Sequence, residues 1–219
     1  KLASENAWSP RTSSFRQAVS FDLESSLQNY IELEAGGPEA FKRVMKEGIV
    51  SPYVWRVRHF EQGKTNETHI RFTPQGKPYG FWEKISEDDP GPALKTDVAL
   101  AIAERTLTGF WRVDLVPYKL VEKSQETQRS GRIDHSFIYE REKERVGEGR
   151  YRLKAVVSGD RVSEVSHSIK VPEAFFRRYS EMRSSNDAIS TAASIAIVIL
   201  YLVAGCGIGL FLLARQHLV

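Results

Sequence analysis

From Ala188 to Ala214 no charged residue interrupts the chain, a run of about 27 positions closed by Asp187 on one side and Arg215 on the other. Roughly 20 predominantly apolar residues suffice to cross the hydrocarbon core of a bilayer. A buried helix of a small soluble domain keeps a polar face and rarely runs this long, so the pattern predicts a transmembrane helix over 188–214. Its position late in the chain excludes a signal peptide. Gly205 and Gly209, and lower down Ala192 and Ala196, form small-xxx-small pairs, a face on which other transmembrane helices can approach closely.

The remainder has the composition of an ordered protein. At 27% charged, 41% hydrophobic and 11% aromatic it is too apolar for a disordered tail, and 219 residues allow one or two domains. The 31 Lys and Arg against 28 Asp and Glu leave only +3, far from the concentrated basic field of a nucleic-acid binder. Cys206 is the single cysteine, which excludes an internal disulfide and any multi-cysteine metal centre. A start at Lys1 without Met, and a stop at Val219 soon after the apolar run, read as a piece of a longer polypeptide.

Periodicity divides the soluble part. Residues 1–14 are polar and aperiodic, and read as a linker. In 15–86 a short strand near Arg16 to Leu23 precedes two helices, Glu24 to Glu34 and Pro38 to Lys46, stopped by Gly36-Gly37 and Gly48. Alternation then takes over in Tyr53 to Phe60, Thr68 to Thr73 and Tyr79 to Ile85, a three-stranded meander. Glu87 to Pro92 is a turn-rich boundary. In 93–172 the order repeats: Thr96 is placed to cap a helix with Val98, Ala99, Ile102, Ala103, Leu107 and Phe110 on one face, and strands follow at Tyr118 to Lys123, Ile133 to Arg141, Tyr151 to Val157 and Val162 to Val171. The expected class is α+β, two tandem units of a helix laid on an antiparallel meander, each with a small core of its own, and Trp55, Tyr79, Phe81, Trp82 and Trp111 either fill these cores or in part form a partner-binding patch. A juxtamembrane helix over 173–187 leads into the span.

No residues assemble into recognisable catalytic, cofactor-binding or metal-binding motifs. His59, His69, His135 and His167 each fall within a strand-like run and lack a partner at useful spacing. Asp134, His135 and Ser136 invite a triad reading, but neighbours on a strand point to opposite faces and cannot orient one another. The charge run Tyr139 to Arg145 reads as a solvated hairpin with cross-strand ion pairs.

Several stretches, taken together, resemble a known family: Tyr53 to Phe60, Arg71-Phe-Thr-Pro-Gln-Gly-Lys-Pro-Tyr-Gly-Phe81, Glu87 to Leu94, Ser158-Gly-Asp160, and Val171-Pro-Glu-Ala-Phe-Phe-Arg-Arg-Tyr-Ser-Glu-Met-Arg-Ser-Ser-Asn186. Over roughly residues 15 to 200 the chain is similar to the N-terminal region of bacterial CPBP-family proteins, membrane-embedded endopeptidases related to the CAAX proteases. The two units are also similar to PepSY or cystatin-like modules found outside bacterial membranes. That family's chemistry lies in later membrane helices, in a Glu-Glu-x-x-x-Arg motif, a Phe-x-x-x-His motif and a His followed four residues later by Asn or Asp. None of the three occurs here, and there is no Glu-Glu pair at all.

The resemblance therefore implies a non-catalytic ectodomain and first anchoring helix of an intramembrane peptidase, which gates or presents a protein or peptide substrate. No cofactor is expected in this chain, and a metal would belong to the later catalytic part. The alternative is a stand-alone membrane-anchored sensor or protein-binding module. The resemblance places the soluble part outside the cytoplasm, with the helix in the cell membrane. Arg177, Arg178 and Arg183 before the span lean the other way, but long domains translocate largely regardless of flanking charge.

Overall fold

The computed structural model describes residues 2–10, 12 and 14–215. It divides into two compact units that meet between Val171 and Pro172. The first runs α1 (Leu2–Glu5), β1 (Arg16–Leu23), α2 (Ser25–Leu33), α3 (Gly37–Glu47), β2 (Tyr53–Phe60), β3 (Glu67–Phe72), β4 (Pro78–Lys84), α4 (Thr96–Gly109), β5 (Tyr118–Thr127), β6 (Ile133–Val146), β7 (Gly149–Ser158) and β8 (Arg161–Lys170). The second is α5 (Glu173–Arg215).

Most elements form where the sequence periodicity places them, because each carries its own start and stop. Gly36 at φ 109° and Gly48 at φ 65° bracket α3, conformations in which a Cβ is costly, and the Gly48 N–H donates to the Val44 carbonyl. Thr96 is not the cap of α4. Lys95 holds that position without a side-chain bond, while the Thr96 hydroxyl lies 3.3 Å from Gln125 Oε1 on β5.

All the strands join in one antiparallel sheet of eight, in the order β1-β2-β3-β4-β8-β7-β6-β5. The helix-then-meander order of the two halves is present, yet the halves are fused where β4 pairs β8, Phe81 opposite Val165 and Trp82 opposite Glu164. The expectation of a separate small core in each half is corrected, since a buried cluster crosses this seam. Ile70 and Phe81 from the first half share a cluster with Ala99, Ala103 and Leu107 of α4 and with Phe137, Leu153, Ala155, Val157 and Val165. The reason is geometric: each meander ends on a strand with an unpaired edge, and joining the two edges satisfies both ladders at once.

The helices of the first half also reach across. Tyr30 of α2 donates from its hydroxyl to the Val146 carbonyl (3.0 Å) and accepts from the Gly149 N–H (2.8 Å), clasping the β6–β7 hairpin. Tyr151 donates to Glu47 of α3 (2.9 Å). Burial and the neighbouring carboxylate push the Tyr151 hydroxyl pKa well up, so it stays a donor.

The reading of 1–14 as a linker is corrected. Ala3 and Trp8 lie in the core, and the Trp8 ring stacks on Phe81 with centroids 4.0 Å apart. A lone tryptophan among polar residues has no period, so pattern reading misses it.

The second unit is a single helix of 43 residues, with no break between the juxtamembrane and apolar stretches. It is long and apolar enough to cross a membrane, with mean hydropathy 2.7 over its most apolar window and none of that window buried. Membrane association follows from an uncovered apolar surface of this length.

Candidate functional site

At one end of the sheet the hairpin tips converge on a cleft of about 740 Å³. It is lined by the segment around Ser9 and Pro10, the β2–β3 turn (Glu61, Lys64, Asn66), the connection between the halves (Ile85 to Pro92), and Arg132, Ser158, Asp160 and Arg161 from the second half. Both halves thus build it.

Its floor is braced by two charges taken out of water. The Glu83 side chain has no exposure and accepts from the Ser9 N–H (2.6 Å) and from the Arg161 guanidinium. The Ser9 carbonyl in turn accepts from Thr68 Oγ1 (2.6 Å). Arg132, 4% exposed, donates to Asp134 (2.9 and 3.2 Å) and to the carbonyls of Ser86 (3.1 Å) and Asp89 (2.7 Å). Asn66 clamps the same connection, donating to Asp89 and accepting from the Ser86 N–H (2.9 Å). Gly91 runs so close that a Cβ there would lie 2.7 Å from Arg132 Cδ. With their hydrogen bonds met, these buried groups hold the shape of the cleft. The exposed Lys64 and Asp160, with Glu61 and Arg161, give its mouth mixed charge.

The four strand histidines do not come together. His135 faces the core, and since the Leu94 carbonyl 2.9 Å from Nε2 can only accept, Nε2 carries the proton. Asp134 faces the other way, to Arg132, so the triad reading fails as strand geometry requires. On the far side of the first half His69 stacks on Trp82 (3.8 Å) with Nε2 3.0 Å from Glu67, and Arg58 forks onto the same carboxylate (2.8 and 2.6 Å). Burial opposes ionisation of Glu67, but the His69 and Arg58 hydrogen bonds outweigh it and hold its pKa below the usual range. The same burial lowers His69. Among the described residues no group of three or more His, Cys, Asp or Glu is placed to hold a metal ion.

Within the charge run, Glu140 takes Arg152 (2.7 Å) and Arg150 (3.3 Å) across the β6–β7 pair, an ion-paired hairpin. Of the aromatics, Tyr79 and Phe81 are buried, Trp82 and Trp111 half-buried, and Trp55 exposed.

His167 gives the unit a pH dependence. Its ring stacks on Tyr79 (5.0 Å), its Nδ1 is sealed without a partner, and burial lowers its pKa from 6.5 to about 4. The native state therefore holds His167 neutral while the unfolded chain takes up a proton below pH 6.5, so this stability is full above pH 6.5 and declines as pH falls toward 4. A loss of up to about 3 kcal/mol is expected over that window, with His69 and His59 adding in the same direction. Urea titrations at stepped pH check this, and His167→Phe should flatten the slope. An equal slope in the variant would assign the dependence to other groups.

Comparison with known protein families, with characterised proteins and with solved structures finds no match to this chain.

Proposed function

We propose that this chain is the non-catalytic extracytoplasmic module and first membrane anchor of a CPBP-type intramembrane peptidase, and that it gates or presents substrate to catalytic helices later in the protein. The observation that carries the reading is the direct attachment of a folded α+β unit, with a braced polar cleft at its hairpin tips, to a helix of membrane-spanning length. The sequence stretches that resemble the family run through the cleft connection (Glu87 to Leu94), the β7–β8 turn (Ser158 to Asp160) and the start of the helix (Val171 onward). In this reading the two helix-and-meander halves are PepSY or cystatin-like modules, and the cleft takes a protein or peptide segment. The Gly205 and Gly209 face meets the other membrane helices.

Reading the gene beyond Val219 tests the parentage. Several further apolar spans carrying a Glu-Glu pair and two histidines are expected. A stop codon or a soluble signalling domain would overturn the peptidase reading and leave a membrane-anchored sensor. Sidedness is tested separately with the full-length gene, using a reporter active only outside the cytoplasm, placed between Gly63 and Lys64 in the exposed β2–β3 turn. Activity is expected there. A silent reporter, with a cytoplasmic one active at the same site, would place the sheet unit inside.

A further inference from the structure

The sheet has two open edges, and they are built differently. Outermost on one side, β5 carries Lys119, Glu122, Lys123 and Glu126 along its length, the charge placement that discourages another strand from docking. Outermost on the other, β1 has charges only near its ends, at Arg16 and Asp22. Along the strand an apolar row lies open, Val19 at 63% and Phe21 at 50% exposed between the two charges and Leu23 at 43% just past Asp22, beside Trp55 at 42% on β2. Val19, Phe21 and Leu23 sit opposite Val57, Trp55 and Tyr53, on the same sheet face as the core residues Ile70 and Phe81.

The ladder tells which backbone groups are free. The Glu24 N–H donates to the Pro52 carbonyl (2.9 Å), in register with the β1–β2 pairing, so the even residues of β1 bond inward and Gln17, Val19 and Phe21 turn N–H and C=O outward. A docking strand has to match that spacing and the two end charges.

We propose that a second copy of this chain is that strand: two molecules pair through β1, antiparallel about a twofold axis at Val19, and continue the sheet from one copy into the other. In this register Arg16 lies opposite Asp22 of the second copy at both ends, and the small residues Ala18 and Ser20 face each other. Val19 meets Val19, and Gln17 meets Phe21. The outward residues fall opposite one another, Gln17 with Phe21 and Val19 with Val19, so each pair exchanges two backbone hydrogen bonds. The contact is isologous, as a closed dimer requires. The inference is independent of the peptidase reading.

The test uses the full chain in detergent micelles, in a Cys206→Ser background. A hydrogen-bonded antiparallel pair sets opposed Cα atoms about 5.5 Å apart, within disulfide reach. Val19→Cys is expected to give a disulfide-linked dimer under mild oxidation, whereas Val121→Cys, 44% exposed on β5, is not. Val19→Lys sets like charges on the axis and should raise the dimer dissociation constant at least about tenfold, with an unchanged circular dichroism spectrum. Gly205→Ile combined with Gly209→Ile should leave the dimer intact. Cross-linking of Val19→Cys no greater than that of Val121→Cys would overturn the proposal. So would a dimer that survives Val19→Lys or is lost in the glycine variant, or a monomeric chain whose β1 edge takes extended peptides instead.

Discussion

Gly80→Ala should destabilise the sheet unit by about 3 kcal/mol. A Cβ at Gly80 would stand 2.4 Å from the Val165 carbonyl oxygen and 3.5 Å from its carbon, and these are backbone atoms of the neighbouring strand. No rotamer change relieves such a clash, so β4 has to move away from β8. The residue pairs adjoining it, Phe81 with Val165 and Trp82 with Glu164, are the ladder that fuses the halves, and Phe81 lies 2% exposed in the shared core. Urea unfolding of the full chain measures the loss as a lower midpoint. Gly109→Ala, with nothing within 4 Å of the added Cβ and a helical position, should be neutral or slightly stabilising. An unchanged midpoint in Gly80→Ala would refute the close approach. A curve split into two transitions would show that the halves are separately stable, against the shared cluster.

Trp8→Ala should cost about 3–5 kcal/mol, the range for removing a large buried aromatic. Trp8 is 6% exposed, sits against Phe81, and meets Phe110 and Trp111 at 6.3 and 6.4 Å between ring centroids. The next residue, Ser9, ties the same segment to the buried Glu83 through its N–H. A chain begun at Phe15 should therefore lose at least as much stability as the point variant, and Glu5→Ala, at an exposed position, should change it by less than about 0.5 kcal/mol. Truncation removes Trp8 itself, so the emission of the remaining tryptophans should shift to the red as Trp111, 6.4 Å from the Trp8 ring and 5.6 Å from that of Phe81, loses its cover. A truncated chain as stable as the full one would restore 1–14 to the status of a linker.

The local elements were legible because the residues that punctuate them are local. Gly48 ends α3, the alternation Val57, His59 against Arg56, Arg58 marks β2, and the charge-free stretch from Ala188 marks the apolar helix. What stayed hidden depends on partners distant in sequence. That β4 pairs β8 is decided by which edges are left over after the hairpins close, and nothing in the strand sequences states it. The contact of Tyr30 with the β6–β7 hairpin spans more than a hundred residues, so α2 reads as a cover for its own meander until the fold is seen. The site was hidden for the same reason. Glu83, Arg132 and Arg161 each look like ordinary strand-end charges, and only their convergence at the hairpin tips buries the first two. The alternation of Glu83 with the buried Phe81 was the available signal for Glu83, since it places a carboxylate on an inward-facing position.

The strand order also sets a timetable for synthesis. β8 is made last of the sheet yet lies in its middle, fifth from the β1 edge and fourth from the β5 edge, between β4 and β7. Until Arg161 to Lys170 has emerged from the ribosome or the translocation channel, β4 waits with a bare edge and Phe81 lacks its cross-strand neighbour Val165. The clasp of Tyr30 likewise waits for Val146 and Gly149. Contacts this far apart in sequence make folding slow and leave half-made chains sticky. Synthesis continues without pause into α5, which begins three residues after β8 ends and turns apolar from Ala188, so the sheet becomes complete shortly before its tether is made. Nascent chains stalled before Arg161 should be the species that holding chaperones retain.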